Sequence, residues 1–290
     1  MRKRILCLLI LSLLLTGCGK SPDPAPTTIP TTVTEPSETL PPTEPTETEP
    51  LPTEPPTKLV SVISSVTSSF GAAQTRSERV FDENGQVTQV ITYSNGKETQ
   101  RFDVECDEHG NYIRWISGQS VTEYTYDREG RVSGTYVYLG ENLVMSSRYV
   151  WEDGLLTATI QSHPTQNLEQ RLDCRYDAQN RLIREEHSVN GALISYTAYA
   201  YSEDGSAAIT TYGSDGSVTQ TALQTTEGTV ITITSTLPDG TFAGKRVKTY
   251  DELGNLLTDT DYAEDGTVIS QQCYTWRTVE VPLDCPRASN

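Results

Sequence analysis

Little in this chain invites a catalytic or metal-binding reading. Six cysteines occur in 290 residues, yet no two are spaced as CxxC, which removes zinc ribbons and thioredoxin-like redox chemistry. The three histidines, His109, His163 and His187, stand far apart without HExxH spacing, so a zincin-type site has no basis. A GxSxG elbow, a P-loop and a dinucleotide fingerprint are all missing. No stretch keeps a helical apolar period between caps. The one apolar run, Ile5 to Leu15, is interrupted only by Ser12 and falls short of the ~20 residues a spanning helix needs. Positive charge is scarce as well: 22 Lys and Arg face 39 acids, for a net charge of −17. So acidic a surface repels nucleic acid, anionic headgroups and anionic wall polymers. No cofactor and no nucleic-acid partner is expected, and nothing marks the chain as an enzyme.

What is present is sharply organised. Arg2, Lys3 and Arg4 precede the apolar run, which ends in Leu15-Thr16-Gly17-Cys18. A basic start, a short apolar stretch and small residues describe a secretory leader. The cysteine at the cleavage point is similar to the lipobox of bacterial lipoproteins. That resemblance implies a signal peptide over 1–17 and a diacylglyceryl thioether on Cys18, the new first residue. Two acyl chains suffice for a stable membrane anchor. Loss of the three leader cations would take the net charge from −17 to −20.

Twelve of the sixteen prolines fall within residues 19–57, interleaved with Thr and Glu. Proline removes backbone donors and the glutamates repel one another, so 18–57 is predicted to be an extended, disordered linker. Residues 58–290 are left as the folded domain.

That domain repeats one phrase. Phe81-Asp82-Glu83-Asn84-Gly85 returns as Cys106-Asp107-Glu108-His109-Gly110, Tyr126-Asp127-Arg128-Glu129-Gly130, Tyr176-Asp177-Ala178-Gln179-Asn180 and Tyr250-Asp251-Glu252-Leu253-Gly254. With the weaker copies, the turn position falls at 85, 110, 130, 154, 180, 205, 228 and 254. A steady period marks an array of like units. Asp starts a turn by bonding its own backbone two residues on, and Gly or Asn supplies the positive φ that closes it. Second turns lie between the phrases, at Asn95-Gly96, Asn190-Gly191, Asp215-Gly216, Asp239-Gly240 and Asp265-Gly266, the strongest hairpin signals available. Pairs such as Tyr124/Tyr126 and Tyr199/Tyr201 are two apart and share one strand face.

The predicted fold is all-β: tandem antiparallel hairpins, on the order of sixteen strands. An open sheet of that many strands would run to roughly 75 Å, so twist should curl it into an extended sheet or open spiral. Residues 58–80 and 277–290 are predicted to cap it, with Pro282 and Pro286 blocking further pairing. Edge strands at both ends would remain open to self-association.

The Tyr-Asp-x-x-Gly-[Arg/Asn]-Leu phrase with its later Asp-Gly turn resembles the YD repeats of the Rhs and teneurin families, over most of 78–276. In large members such repeats wind into a β-shell around a toxin domain. Here the array is short and nothing of domain size follows Tyr274. The resemblance implies a fold, not an activity.

The repeat also accounts for the apparent ligand cluster Cys106-Asp107-Glu108-His109, which fills the aromatic, turn and variable slots of one copy. Cys106 and Cys174 share the aromatic slots and are predicted to be buried thiols. Cys273 and Cys285 enclose a short C-terminal stretch and suit a disulfide clasp. The expected protein is a bacterial surface lipoprotein, held to the cell membrane by its lipid, whose repeat domain binds a protein or glycan or serves structural display. A surface glycan-active enzyme, or an accessory or remnant of a polymorphic toxin system, is the alternative.

Overall fold

The computed structural model describes residues 57–282. The chain divides into two units, Met1–Pro56 and Thr57–Asn290, and the second carries all the described strands. Its strands are β1 (Thr57–Phe70), β2 (Ala73–Phe81), β3 (Val87–Ser94), β4 (Lys97–Cys106), β5 (Tyr112–Ser117) and β6 (Ser120–Tyr126). There follow β7 (Val132–Leu139), β8 (Asn142–Glu152), β9 (Leu155–His163), β10 (Leu168–Tyr176), β11 (Leu182–Val189) and β12 (Ala192–Tyr201). The last six are β13 (Ala207–Gly213), β14 (Val218–Glu227), β15 (Val230–Thr236), β16 (Phe242–Tyr250), β17 (Leu256–Tyr262) and β18 (Val268–Pro282).

Each strand pairs antiparallel with the next, and β18 pairs back onto β1. The result is a closed eighteen-stranded barrel. This corrects the expectation of an extended sheet or open spiral: the ring has no free edge. β1, almost wholly within the first predicted cap, closes the ring against β18, of which 277–282 falls in the second; 283–290 lies outside the described residues. β1 and β18 are registered from Thr57↔Pro282 to Phe70↔Ser270, with one irregularity between Ile63 and Ser65. Pro282 ends this ladder and does not prevent it, because a proline at a strand terminus costs only the last donor.

The turns form as the phrase dictates. Asp127 Oδ1 accepts the amides of Glu129 and Arg131 at 3.0 and 2.9 Å, and Gly130 has a φ of 76°. Asp82, Asp107, Asp177 and Asp251 repeat the arrangement. Below four of the turns the aromatic slot donates to a carbonyl on the neighbouring strand: Tyr126 Oη to Tyr112 O at 2.8 Å, Trp151 Nε1 to Val132 O at 2.8 Å, Tyr176 Oη to Leu156 O at 2.9 Å and Tyr201 Oη to Leu182 O at 2.9 Å. The pairing register slips at the slot itself, between Val80 and Phe81, Glu105 and Cys106, Thr125 and Tyr126, and Arg175 and Tyr176. Bulges bend and twist a sheet. Further slips fall near the opposite rim, as between Thr92 and Tyr93, Val137 and Tyr138, and His187 and Ser188, so bulges at both ends of the hairpins add to the twist and curvature of the closed sheet.

Among the described residues only ten apolar side chains are buried, so the barrel has no single central core. Val87, Val90 and Val104 gather with Phe81, Phe102, Cys106, Tyr112 and Trp115, and Val60, Val62 and Val279 pack with Phe81. A ring of about eight strands is filled by its own side chains, whereas sixteen to eighteen leave a channel. Half-burial of most strand residues follows from that size.

Candidate functional site

Turns after even-numbered strands lie on the rim where β1 begins; turns after odd-numbered strands lie on the opposite rim. Counting each turn with one flanking residue on either side, the first rim holds fourteen acids and three arginines. The far rim holds five acids and one lysine. Most of the barrel's turn charge therefore sits where the chain enters it, and the arginines interrupt it at 127–131 and 177–181.

The Asp127–Arg131 turn stands between two grooves. One, of about 630 Å³, is lined by Tyr126, Asp127, Arg128, Glu129, Arg131, Ser133, Arg148, Tyr149, Val150 and Trp151. The other, of about 410 Å³, is shared with Asp107, His109 and Asn111. Partial burial raises the Asp127 carboxyl, but the Arg131 amide and guanidinium and the Glu129 amide hold it below the usual carboxylate range. Arg131 donates Nε to Asp127 at 2.7 Å and reaches Glu129 at 3.1 Å, while its guanidinium lies 5.3 Å from the Trp151 ring. Such a stack fixes the arginine over the indole. Arg128 and Arg148 differ: both are exposed, and neither has a hydrogen-bond or ion-pair partner among the described residues.

The register separates two sheet faces. On one, Cys174, Glu185 and Thr197 stand side by side, as do Lys248, Asp259 and Gln272. Burial pushes the Cys174 thiol up to about 11 and Tyr176 to about 12. Tyr199 is raised further, by burial and by its short hydrogen bond to Glu185. Asp259, almost fully buried, accepts Nε of Arg246 at 2.6 Å and lies 3.8 Å from Lys248 Nζ. On the other face run exposed and half-buried ion pairs: Arg114 with Glu105 and Glu123, Arg171 with Asp173, and Arg175 and Arg184 with Glu186. Charged side chains thus occupy mid-strand positions on both faces. A membrane-spanning barrel needs an outward apolar band about 25 Å tall; among the described residues, charged side chains interrupt both faces.

Of the residues singled out in the sequence, Leu15, Thr16, Gly17, Cys18 and Cys285 lie outside the described residues. Cys273 is exposed on β18, opposite Thr258 and Thr67. Cys106 and Cys174 are half-buried, not buried as predicted; Cys106 fills the slot at the rim, whereas Cys174 lies two residues inside the slot residue Tyr176. Cys106 donates to Val87 O at 3.5 Å, standing in for the aromatic donor of the other copies. Asp107 serves its own turn, accepting from His109 N, Asn111 N and Asn111 Nδ2. That Arg128 and Arg148 both line one groove was not legible in the sequence. One signal was available: Asp127-Arg128-Glu129-Gly130-Arg131 is the single turn phrase of its rim with two arginines.

No protein-family model and no curated protein matches the chain. The resemblance to YD-repeat families therefore rests on the phrase and its turns alone. Among solved structures, a porin-like protein from Bacteroides uniformis is similar at 12% identity, over 74% of this chain and 96% of that one, with a TM-score of 0.42. A porin-like protein from Bacteroides vulgatus shares 8% identity over 74% and 98% of the two chains, with a TM-score of 0.33. The TcdB2-TccC3-TEV structure shares 11% identity over 72% of this chain and 16% of its own, with a TM-score of 0.27. Likeness at this level leaves the functional reading to the chain's own residues.

Proposed function

We propose that this protein is a water-compatible β-barrel held at the outer side of a bacterial membrane by lipid on Cys18, and that it works there as a binding module. The observation that carries the reading is the presence of ion pairs on one sheet face and buried or half-buried charge on the other. A barrel charged on both faces has no lipid-compatible wall. Its association with a membrane then needs a separate device, and the leader ending in Leu15-Thr16-Gly17-Cys18 supplies one. Residues 19–57, rich in proline and glutamate, suit a spacer between anchor and barrel. Binding is assigned to the rim because turns carry the exposed, chemically varied side chains, while the strands are committed to one another.

The test is membrane fractionation with metabolic palmitate labelling of the full chain and of Cys18→Ser. Label and membrane retention in the natural chain, both lost in the variant, are expected. Equal retention of the two, or a wild-type chain that resists extraction as an integral barrel does, would overturn the proposal.

A further inference from the structure

One long-range effect tells the two sides of the wall apart. Burial pushes the Tyr124 hydroxyl up to about 12, and the positive charge of Arg79 draws it back. Arg79 lies on β2 and Tyr124 on β6, about 19 Å apart along a flat sheet. One acts on the other because both stand on the concave, inner side of the barrel. The register agrees: Arg79 is opposite Val90, and Val90 is opposite Phe102. Val104, two residues on, is opposite Trp115, and Trp115 is opposite Thr122, two residues from Tyr124. Tyr149 shares the face through Thr135 and Ser147.

Among the described residues this inner wall holds no acid from β2 to β9, and away from the turns Arg79 is its one charge. Farther round the ring the same side carries Glu185, Lys248 and Asp259. The earlier strands line it with apolar and aromatic side chains. The Trp115 ring lies 5.8 Å from Phe102, 5.4 Å from Tyr112 and 6.2 Å from Tyr124. These rings are half-buried, since a ring of this many strands is not filled by its own side chains. The wall is also short of acceptors. Trp115 Nε1 is buried with no hydrogen-bond partner, and the hydroxyls of Tyr124 and Tyr149 donate to no described group, unlike those of Tyr126, Tyr176 and Tyr199. Arg79 meets no carboxylate. Arg128, Arg148 and Arg277 share that lack, so it is position that sets Arg79 apart: Arg128 belongs to a turn, Arg148 faces outward opposite Gly134, and Arg277 is held 4.8 Å over the Phe81 ring.

We propose that the inner wall of β2–β8 binds a carboxylic acid with an apolar body, of the fatty-acid class. Arg79 and the Tyr124 hydroxyl receive its carboxylate, and its chain lies along Phe102 and Trp115. Guanidinium presents paired donors that match the two oxygens of a carboxylate. A wall of donors without acceptors is completed by a group that only accepts, which an ionised carboxylate is. Apolar and aromatic lining with a few placed polar groups is the usual make-up of a small-molecule site. The absence of acids from this stretch matters in a chain of net charge −17, because it leaves the anion nothing to repel it at close range. This inner site is separate from the rim, and its test does not depend on the lipid anchor.

The experiment is calorimetric titration of the purified full chain with dodecanoate below its micellar concentration, with its methyl ester, with dodecyltrimethylammonium and with acetate. Dodecanoate is expected to bind, with affinity about tenfold weaker in Arg79→Gln and largely kept in Arg79→Lys. The ester should bind more weakly than the acid, and neither the cationic amphiphile nor acetate should compete at equal concentration. Arg101→Gln, which removes an arginine paired with Glu98 on the outer side, should leave binding unchanged. Tryptophan emission should shift on binding in the natural chain and not in Trp115→Phe. Circular dichroism of each variant checks that the barrel persists. The proposal is overturned if dodecanoate does not bind or if Arg79→Gln binds it like the natural chain. Equal competition by the cationic amphiphile would show plain apolar adsorption, and equal competition by acetate a simple anion site; either result also overturns it.

Discussion

The body of the barrel and its seam are built on different terms. From β2 to β17 each strand meets the strand just before or after it in the chain, through a turn whose Asp and Gly are written into the local sequence. The seam joins β1 to β18 across some 200 residues with no turn to hold the register. What it has instead is length and packing. β1 and β18 are the longest strands, at 14 and 15 residues. Their overhang buries Val60, Val62 and Val279 against Phe81, a side chain of the neighbouring β2. On the other side of the seam, Asn255 of the β16–β17 turn donates Nδ2 to Ser61 at 3.3 Å. Local code builds the hairpins; side-chain packing at one place closes the ring.

The largest effect should come from breaking that place. Val279→Asp puts a charge among Val60, Val62 and Phe81 and is expected to cost about 4 kcal/mol. Scattering should report an increased radius of gyration as the ring opens. Leu223→Asp, at a half-exposed position within the body, should leave radius and stability nearly unchanged. A compact Val279→Asp barrel would mean that closure does not depend on the seam.

Two glycines sharpen the comparison. Gly85 and Gly254 have φ of 73° and 82°, but a Cβ on Gly85 would lie 3.3 Å from Val279, whereas one on Gly254 meets nothing. Both Gly→Ala changes incur the left-handed penalty of about 1–2 kcal/mol. Gly85→Ala should cost roughly 1 kcal/mol more, read from denaturant midpoints. Equal losses would show that the β2–β3 turn gives the seam no support.

Within the body, Asp127→Ala removes the acceptor of two turn amides. Solvent screening limits the loss to about 1 kcal/mol. Burial raises this carboxyl, but Arg131 and the turn amides prevail and hold it below its ordinary value of 3.8. A carboxylate with a depressed folded pKa stabilises above its unfolded value and loses that contribution as pH falls through the folded one. The difference between the variant and the natural chain should therefore be complete at neutral pH and shrink below about pH 4. A difference that grows in acid would reject the hydrogen-bond account.

The smallest effect concerns the slot. Tyr176→Phe loses the bond from its hydroxyl to Leu156 O on the next strand, at about 1 kcal/mol. Tyr274→Phe loses only a bond to Gln272 of its own strand and should cost less. The reverse order would show that the slot hydroxyls do not tie strands together.

The contrast also explains what could be read in advance. Tyr176, Asp177 and Asn180 announce slot, turn and positive φ within five residues, and each does in the barrel what its chemistry suggests. The stretches that became β1 and β18 carry no phrase, so they read as ends. An open array and a closed ring share the same local repeats, and the difference lies in Thr57–Ile63 meeting Trp276–Pro282, a pairing that no short-range signal specifies. The groove was hidden for a related reason. Arg128 lies inside a phrase, but Arg148 sits in mid-strand on β8, opposite Gly134, and joins the groove lining only through the pairing of β7 with β8.

Closure is tested most directly by a distance across the seam. Thr67 is registered opposite Cys273, so spin labels on Thr67→Cys and the native Cys273, with the remaining unlipidated thiols replaced, report it by pulsed electron resonance. The closed ring places these two Cα atoms about 5 Å apart, and a single short-distance population is expected. An open eighteen-stranded sheet would separate them by roughly 80 Å, and a long or absent distance would contradict the barrel.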